Sequence, residues 1–217
     1  MQFADGEIYH IYNRSVAGTE IFIKKRTNNR FLDLVNYYRY QAQIRYSRFM
    51  TLPQTERQQF WDQITKRDPH VILYAFTLMP NHYHFVVKQL GKNGIRIFLT
   101  NLQNSFARYY NTKNQRAGSL FQNRFKAKRV ETNEQFIHLI RYVHINPLTS
   151  YSIKQSDLAE YLWNSYGWYL DEGRNIFIDT SLIKSHFRTT KRFSEFTMNN
   201  VDYQRKLAKI KHLILEK

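Results

Sequence analysis

Hydrophobic and polar residues alternate near the start of the chain in a pattern that predicts a β-strand over residues 7–14. The period of two places His10 and Tyr9 on opposite faces of this strand. Residues 27–49 contain no glycine or proline and carry apolar side chains at helical intervals, which predicts one long helix. A shorter helix is predicted around residues 56–65, after a polar stretch.

Two apolar runs lie on either side of a turn signal in the middle of the chain. Residues 70–78 and 82–88 are rich in β-forming side chains, and Met79-Pro80-Asn81 between them is typical of a tight turn. The two runs therefore predict neighbouring strands. Beyond two glycines, apolar side chains at near-helical spacing predict a second long helix over residues 95–111.

The next elements are an extended basic segment over residues 118–130 and a third helix. That helix begins at Thr132 or Asn133 and ends at Asn146, because Pro147 cannot continue it. The order is then strand, helix, strand, strand, helix, strand, helix. This order predicts an α+β fold: a ferredoxin-like (split βαβ) antiparallel sheet with helices on one face, an added helix and a C-terminal extension.

The chain divides into two predicted parts. A core occupies residues 1–150, and an aromatic and basic helical extension at residues 151–217 packs on or beside it. Within the extension, aromatic side chains at residues 155–170 are expected to pack on the flank of the sheet. Residues 201–217 have the pattern of a basic amphipathic helix.

The charge of the chain points to a polyanionic partner. Its 217 residues include 33 Lys and Arg against 17 Asp and Glu, which gives a formal net charge of +16. A content of 42% hydrophobic and 16% aromatic residues excludes a disordered basic tail. Because the basic residues are spread along the whole chain, nucleic acid is a better match than a membrane anchor.

The sequence contains no cysteine, which excludes disulfides, thiolate-zinc sites and cysteine nucleophiles. The first residues lack the charged and apolar segments of a leader, and no run reaches ~18 apolar residues. We therefore expect a cytoplasmic protein that does not associate with membranes.

Two histidines mark the second apolar run. His82 and His84 are two residues apart on a predicted strand, so their side chains point to the same side and can share one metal ion. Imidazole ligands by themselves favour zinc or another transition metal.

The third helix offers a phenol and an amide on one face. Tyr142 and Asn146 are four residues apart, and His138 lies one turn earlier as an accessory candidate. If this face covers the strand with His82 and His84, the Asn146 amide oxygen can complete a set of three protein ligands. The Tyr142 phenol would then stand beside a metal-bound phosphate, which are the parts needed for phosphodiester transesterification.

A basic and aromatic segment precedes this helix and is a candidate for DNA binding. Such a mixture neutralises phosphates and meets unstacked bases, although a solvated charged strand is the alternative. The candidates in this segment, together with one residue of the first strand, are Arg14, Arg116, Arg124, Lys126, Lys128 and Arg129, with Phe121 and Phe125 among them.

These residues resemble a known family. His82-Tyr83-His84 resembles the signature of HUH endonucleases, and residues 78–84 are similar to its form in single-tyrosine transposases. The chain is similar to the REP-associated tyrosine transposase branch over about residues 1–170. Three further segments contribute to the resemblance: residues 9–14 (YHIYNR), 116–126 (RAGSLFQNRFK) and 141–147 (RYVHINP).

The resemblance implies a role for each site residue. His82 and His84 would be metal ligands, Asn146 a third ligand and Tyr142 the nucleophile, with Mg²⁺ or Mn²⁺ as the metal. The implied activity is cleavage and transfer of single-stranded DNA near hairpins, through a covalent 5′-phosphotyrosine intermediate. The implied partner is single-stranded DNA with hairpin structure, bound by a monomer or a homodimer.

Two alternatives stay open on the sequence alone. A catalytically inactive module of ferredoxin-like fold that binds hairpin DNA or RNA would explain the charge and the aromatic residues. A relaxase or replication initiator would predict paired tyrosines. Tyr109 and Tyr110 do not form such a pair, because neighbours on a helix point about 100° apart.

Overall fold

The computed structural model describes residues 2–150, 152–174, 176–199 and 201. Its centre is a four-stranded sheet in which every neighbouring pair of strands is antiparallel, in the order β2-β3-β1-β4. This is the split βαβ arrangement, and the predicted α+β, ferredoxin-like fold is confirmed. The strands are β1 (Ile8–Arg14), β2 (Val71–Met79), β3 (His82–Gln89) and β4 (Lys126–Arg129).

Eight α-helices accompany the sheet in the described residues. They are α1 (Lys25–Tyr38), α2 (Tyr46–Thr51), α3 (Gln54–Thr65), α4 (Gly94–Lys113), α5 (Asn133–Thr149), α6 (Tyr166–Leu170), α7 (Ser181–Lys184) and α8 (Thr190–Met198). None of the described helices is both long and apolar enough to cross a membrane.

The two faces of the sheet have different tasks. On β3, Tyr83 and Phe85 are fully buried against Phe31 of α1, and Phe85 also contacts Phe98 of α4. This face carries the main aromatic core. Residues alternate along a strand, so His84 points to the opposite face, where Tyr142 of α5 lies over it. The face opposite α1 and α4 therefore holds the candidate chemistry.

The single helix predicted over residues 27–49 is wrong, because α1 ends at Tyr38 and α2 begins at Tyr46. Two phenols stabilise the break. The Tyr37 hydroxyl donates to the carbonyl of Ile44 (2.9 Å), and the Tyr38 hydroxyl accepts from the Tyr46 amide (3.1 Å). No glycine or proline marks this turn, so the periodicity of the sequence did not reveal it.

The predicted end of α5 at Asn146 is also wrong, since the helix runs through Pro147 to Thr149. A proline at this position leaves the carbonyl of Val143 without its helical partner. The Asn164 side-chain amide, from the segment before α6, donates to the carbonyls of Val143 (3.5 Å) and His144 (2.9 Å). This tertiary contact allows the helix to continue.

The segment after α4 is mostly irregular. Its strand, Lys126–Arg129, pairs with β1, and the amides of Gln122 and Val130 also donate to the β1 carbonyls of Arg14 and Ile8, both at 2.9 Å. The aromatic cluster predicted at residues 155–170 does pack on the sheet, with the Trp168 ring 5.1 Å from that of Phe76 on β2. Of the basic helix predicted at residues 201–217, residues 202–217 lie outside the described part of the chain.

Candidate active site

A cavity of about 730 Å³ lies between the sheet and α5. It contains the two histidines of β3, the phenol and amide of α5, and cations from β1 and β4. Its lining consists of His10, Tyr12, Asn13, Arg14, His82, His84, Gln122, Lys126, Lys128, Tyr142 and Asn146.

The pairing of β1 with β3 brings this cluster together. Arg14 lies opposite His82 and Tyr12 lies opposite His84 in the antiparallel register. His10 is two residues further along β1, so it shares the face of Tyr12 and Arg14 and lies diagonal to His84. Three alternate residues of β1 thus surround the two histidines of β3.

The ring of His82 is held by its neighbour in the turn between β2 and β3. The Asn81 amide nitrogen donates to the carbonyl of Gly18 (3.2 Å), which orients Asn81 so that its oxygen faces His82 Nδ1 at 2.7 Å. An amide oxygen can only accept, so Nδ1 carries the proton. His82 Nε2 is therefore left with a free lone pair, as a metal ligand requires.

The ring of His84 has a partner that the sequence did not reveal. His10 Nε2 lies 2.9 Å from His84 Nδ1, and the two rings are stacked with centroids 5.1 Å apart. When His84 donates through Nδ1, its Nε2 is free to bind a metal. The period of two places His10 and Tyr9 on opposite faces of the first strand, but the register that brings His10 to His84 is a long-range feature.

All three histidines are neutral at pH 7. Burial, and then the charge of Lys128, lowers the pKa of His10 to about 4. Burial, and then the charge of Arg14, lowers the pKa of His82 to about 4, and burial lowers the pKa of His84 well below its usual value. Neutral imidazoles can act as ligands without first losing a proton.

Helix α5 places Tyr142 over the histidines. The half-buried Tyr142 ring stands edge-on to His84, with centroids 5.8 Å apart, and edge-on to His10 at 5.9 Å. Asn146, one turn later, is nearly buried, and its amide nitrogen donates to the Tyr142 carbonyl at 3.4 Å. The amide oxygen is therefore the group that Asn146 can offer to a ligand.

These donors fit a divalent cation that is bound together with a phosphate. His82 and His84 can offer imidazole nitrogens, and Asn146 an amide oxygen. Among the residues that the structure describes, no three His, Asp or Glu side chains form a metal-binding group. Because no carboxylate lines the cavity, phosphate oxygens would have to bring the negative charge.

Three of the six predicted DNA-binding residues line this cavity: Arg14, Lys126 and Lys128. Lys126 and Lys128 share a face because they are two residues apart on β4, and Lys126 Nζ lies 5.9 Å from the centre of the Tyr12 ring. With no acidic residue in the lining, the cavity has the charge of an anion site.

The other three predicted DNA-binding residues lie elsewhere. Arg129 points away from the cavity and forms an ion pair with Glu7 at 2.7 Å. The Arg116 guanidinium donates to the carbonyl of Ser119 (2.7 Å), so it stabilises the loop in which it lies. Arg124 is exposed outside the cavity lining.

The accessory candidate His138 is also outside the cavity lining. Its Nδ1 lies 2.6 Å from the Arg141 guanidinium on the exposed side of α5. Phe121, expected to meet bases, is buried against Tyr83, and Phe125 stacks on Phe3.

Two of three comparisons with known proteins found matches. Residues 32–146, more than half of the chain, match the family described as "Transposase IS200 like". No curated protein matches the chain significantly. Among solved structures, the chain is similar to "the REP associates tyrosine transposase bound to a REP hairpin", with a TM-score of 0.55 and 11% identity. That similarity covers 83% of this chain and 91% of the other, and at this identity it shows a shared fold.

A second solved structure has lower similarity. It is a Deinococcus radiodurans protein described as a "putative transposase", with a TM-score of 0.37 and 12% identity over 66% of this chain and 95% of that chain. A TM-score of 0.37 does not establish a common fold.

Proposed function

The chain belongs to the IS200-like transposase family, and on that premise we propose that it cleaves and rejoins single-stranded DNA near hairpins. Tyr142 would be the nucleophile, His82, His84 and Asn146 the metal ligands, and Mg²⁺ or Mn²⁺ the metal. The proposed substrate follows the description of the similar solved structure, which is bound to a REP hairpin.

One observation carries this proposal: the Tyr142 phenol lies over the neutral rings of His84 and His10, in a cavity whose charged residues are all cations. Tyr142 stands 5.8 Å from the His84 ring, and Arg14, Lys126 and Lys128 line the same 730 Å³ space. A tyrosine that only packs a core needs neither the cations nor the free imidazole nitrogens. A phosphate-directed nucleophile needs both.

The reaction conserves the phosphodiester energy. Tyr142 Oη attacks the phosphorus, the P–O3′ bond breaks, and a new bond joins phosphorus to the phenolic oxygen. The proton lost by the phenol ends on the released 3′-oxygen. The products are a 5′-phosphotyrosine and a free 3′-hydroxyl. Because one ester replaces another, a different 3′-hydroxyl can reverse the step and join new strands without ATP.

The residues of the chain divide the work. Arg14, Lys126 and Lys128 attract the phosphate and offset its charge. His82 and His84 would present Nε2 to the cation. The bound cation would supply Lewis-acid polarisation of the phosphate. Helix α5 keeps Tyr142 and Asn146 on one face, so nucleophile and ligand stay in register.

A denaturing gel of labelled hairpin oligonucleotides from DNA flanking the gene tests this function. With manganese or magnesium, the wild-type protein should form a covalent protein–DNA adduct that Tyr142→Phe and His82→Ala abolish. Tyr12→Phe is the matched control, because Tyr12 lines the same cavity. It should keep the adduct.

Two results would contradict the proposal. An adduct that survives Tyr142→Phe but disappears in Tyr12→Phe would identify Tyr12, on β1, as the nucleophile. Tight, salt-sensitive binding without any adduct, over several flanking sequences and both metals, would indicate the binding module without catalysis.

A further inference from the structure

A second and larger cavity, of about 860 Å³, lies among α1, α2 and α4, and we name it the helix groove. Helices α1 and α4 cover the sheet face that carries Tyr83 and Phe85. The candidate active site lies on the opposite face, with His84 and Tyr142. The helix groove is therefore a separate surface on the other side of the sheet.

The lining of the helix groove is strongly basic. It holds five cationic side chains from α1, α4 and the loop before α2, and no acidic residue. None of the five forms an ion pair within the part of the chain that the structure describes. Asp33, which interacts electrostatically with Arg30, lines a smaller adjoining pocket. The five cations are Arg26, Arg30, Arg45, Arg108 and Lys113.

Aromatic rings hold part of this charge in place. The Arg30 guanidinium lies 5.0 Å from the centre of the Tyr46 ring and 5.2 Å from that of Tyr109. Lys113 Nζ lies 5.5 Å from the same Tyr109 ring and 3.3 Å from its hydroxyl. Cations oriented in this way lose less conformational freedom when an anion binds.

The same rings are not open to nucleic-acid bases. Tyr38 and Tyr46 are buried, with 5% and 8% exposure. Tyr109 is occupied by Arg30 and Lys113. Surfaces that bind single strands stack bases on accessible aromatic rings, whereas paired DNA is held through its phosphates. The helix groove offers phosphate-binding cations without a stacking platform.

We propose that the helix groove binds the sugar-phosphate backbone of the base-paired stem of the hairpin substrate. This inference rests on the proposed function and deepens it. The unpaired strand enters the cavity with Tyr142, and the stem contacts the helix groove on the other side of the sheet. Recognition of the stem is thus independent of the chemistry.

Removal of three exposed cations tests the proposal. Arg26→Gln, Arg45→Gln and Arg108→Gln together leave the ring-bound Arg30 and Lys113 in place. Binding is measured by fluorescence anisotropy with a hairpin and a stemless strand at several salt concentrations. For the hairpin, we expect at least a tenfold loss of affinity at ~0.1 M salt. We also expect log K to fall less steeply with log[salt], with a slope whose magnitude is smaller by about 2 to 3, because each lost phosphate contact removes about 0.9 from it.

A second triple variant, Lys66→Gln, Arg67→Gln and Lys154→Gln, removes the same charge from exposed positions outside the helix groove. It should bind the hairpin nearly as the wild type does. An equal loss in this control would mean that only total charge matters and would overturn the assignment. An equal loss of stemless-strand binding in the groove variant would also overturn it.

The test separates this inference from the proposed chemistry. Anisotropy measures binding without cleavage. If hairpin binding depends on the helix groove but the wild type forms no adduct, the proposed cleavage is refuted and the groove proposal stands. If the protein forms an adduct on a stemless strand and the groove variant binds the hairpin as the wild type does, the groove proposal is refuted and the proposed cleavage stands. A wild-type protein that binds the hairpin no better than the stemless strand would also overturn the groove proposal.

Discussion

His10 Nε2 and His84 Nδ1 lie 2.9 Å apart, so a residue of β1 controls which nitrogen of a β3 histidine faces the cavity. If His84 is to bind a cation through Nε2, its proton must sit on Nδ1 and be accepted by His10 Nε2. His10 then carries its own proton on Nδ1. The candidate metal site thus includes, besides its ligands, a residue on a neighbouring strand that is hydrogen-bonded to one of them.

Loss of this contact should weaken metal binding without removing a ligand. We expect His10→Leu to lower Mn²⁺ affinity about 10- to 100-fold, the usual effect of a missing second-layer partner. His10→Gln, whose amide oxygen can still accept, should lose less. Calorimetric titration of Mn²⁺ into the Tyr142→Phe protein bound to an oligonucleotide measures this without cleavage. Equal affinity in His10→Leu and the parent would exclude the positioning role.

Variants of Asn146 test whether this residue is the third metal ligand. If its amide oxygen binds the cation, Asn146→Ala should weaken Mn²⁺ binding at least tenfold, whereas Asn146→Asp should strengthen it because hard cations prefer carboxylates. The same titration reports both variants. The amide makes one long hydrogen bond, of 3.4 Å to the Tyr142 carbonyl, so little folding energy depends on it. Two unchanged affinities would remove Asn146 from the ligand set.

The sequence predicted those pairs of site residues that lie close together on one strand or one helix. His82 and His84 share a strand face, and Tyr142 and Asn146 share a helix face, so each pair follows from the geometry of one element. The position of α5 over His84, on which the predicted site depends, is itself a tertiary contact. His10 joins the site through the register of β1 on β3, which no local pattern encodes.

The errors in the predicted fold have the same origin. The break after α1 depends on phenol hydrogen bonds, and the continuation of α5 through Pro147 depends on Asn164, which follows it by 17 positions. The helix groove needs side chains from α1, α2 and α4 in one place. Each is a tertiary contact that overrides a local preference.

His144 should make stability fall in acid. It is fully buried, and its Nε2 lies 2.9 Å from the Ser165 hydroxyl while its Nδ1 has no hydrogen-bond partner. Burial lowers its pKa from 6.5 to about 3. The unfolded chain therefore binds this proton first, and stability falls as pH drops below about 6.5 and continues to fall toward pH 3.

Urea unfolding at pH 7.5 and pH 5 measures this effect. For a shift of this size, His144 contributes a loss of about 2 kcal/mol between the two pH values. His144→Gln should reduce the pH dependence by that amount, although it also lowers stability at pH 7.5. An unaltered slope in His144→Gln would show that other groups are responsible.

Gly94, the first residue of α4, packs against the backbone just before β2. A Cβ at this position would overlap the carbonyl oxygen of His70, which also accepts the Leu90 amide at 3.1 Å. Alanine favours a helix over glycine by about 1 kcal/mol, but overpacking against backbone costs about 1–3 kcal/mol or more, so the clash should win.

We therefore expect Gly94→Ala to destabilise the protein by about 2 kcal/mol in urea unfolding. Gly91→Ala is the matched control, because a Cβ there meets no atom within 4 Å. Its effect should stay within about 0.5 kcal/mol. If both variants unfold at the same urea concentration, α4 can shift away from His70, and the contact between this helix and the start of β2 is looser than its geometry indicates.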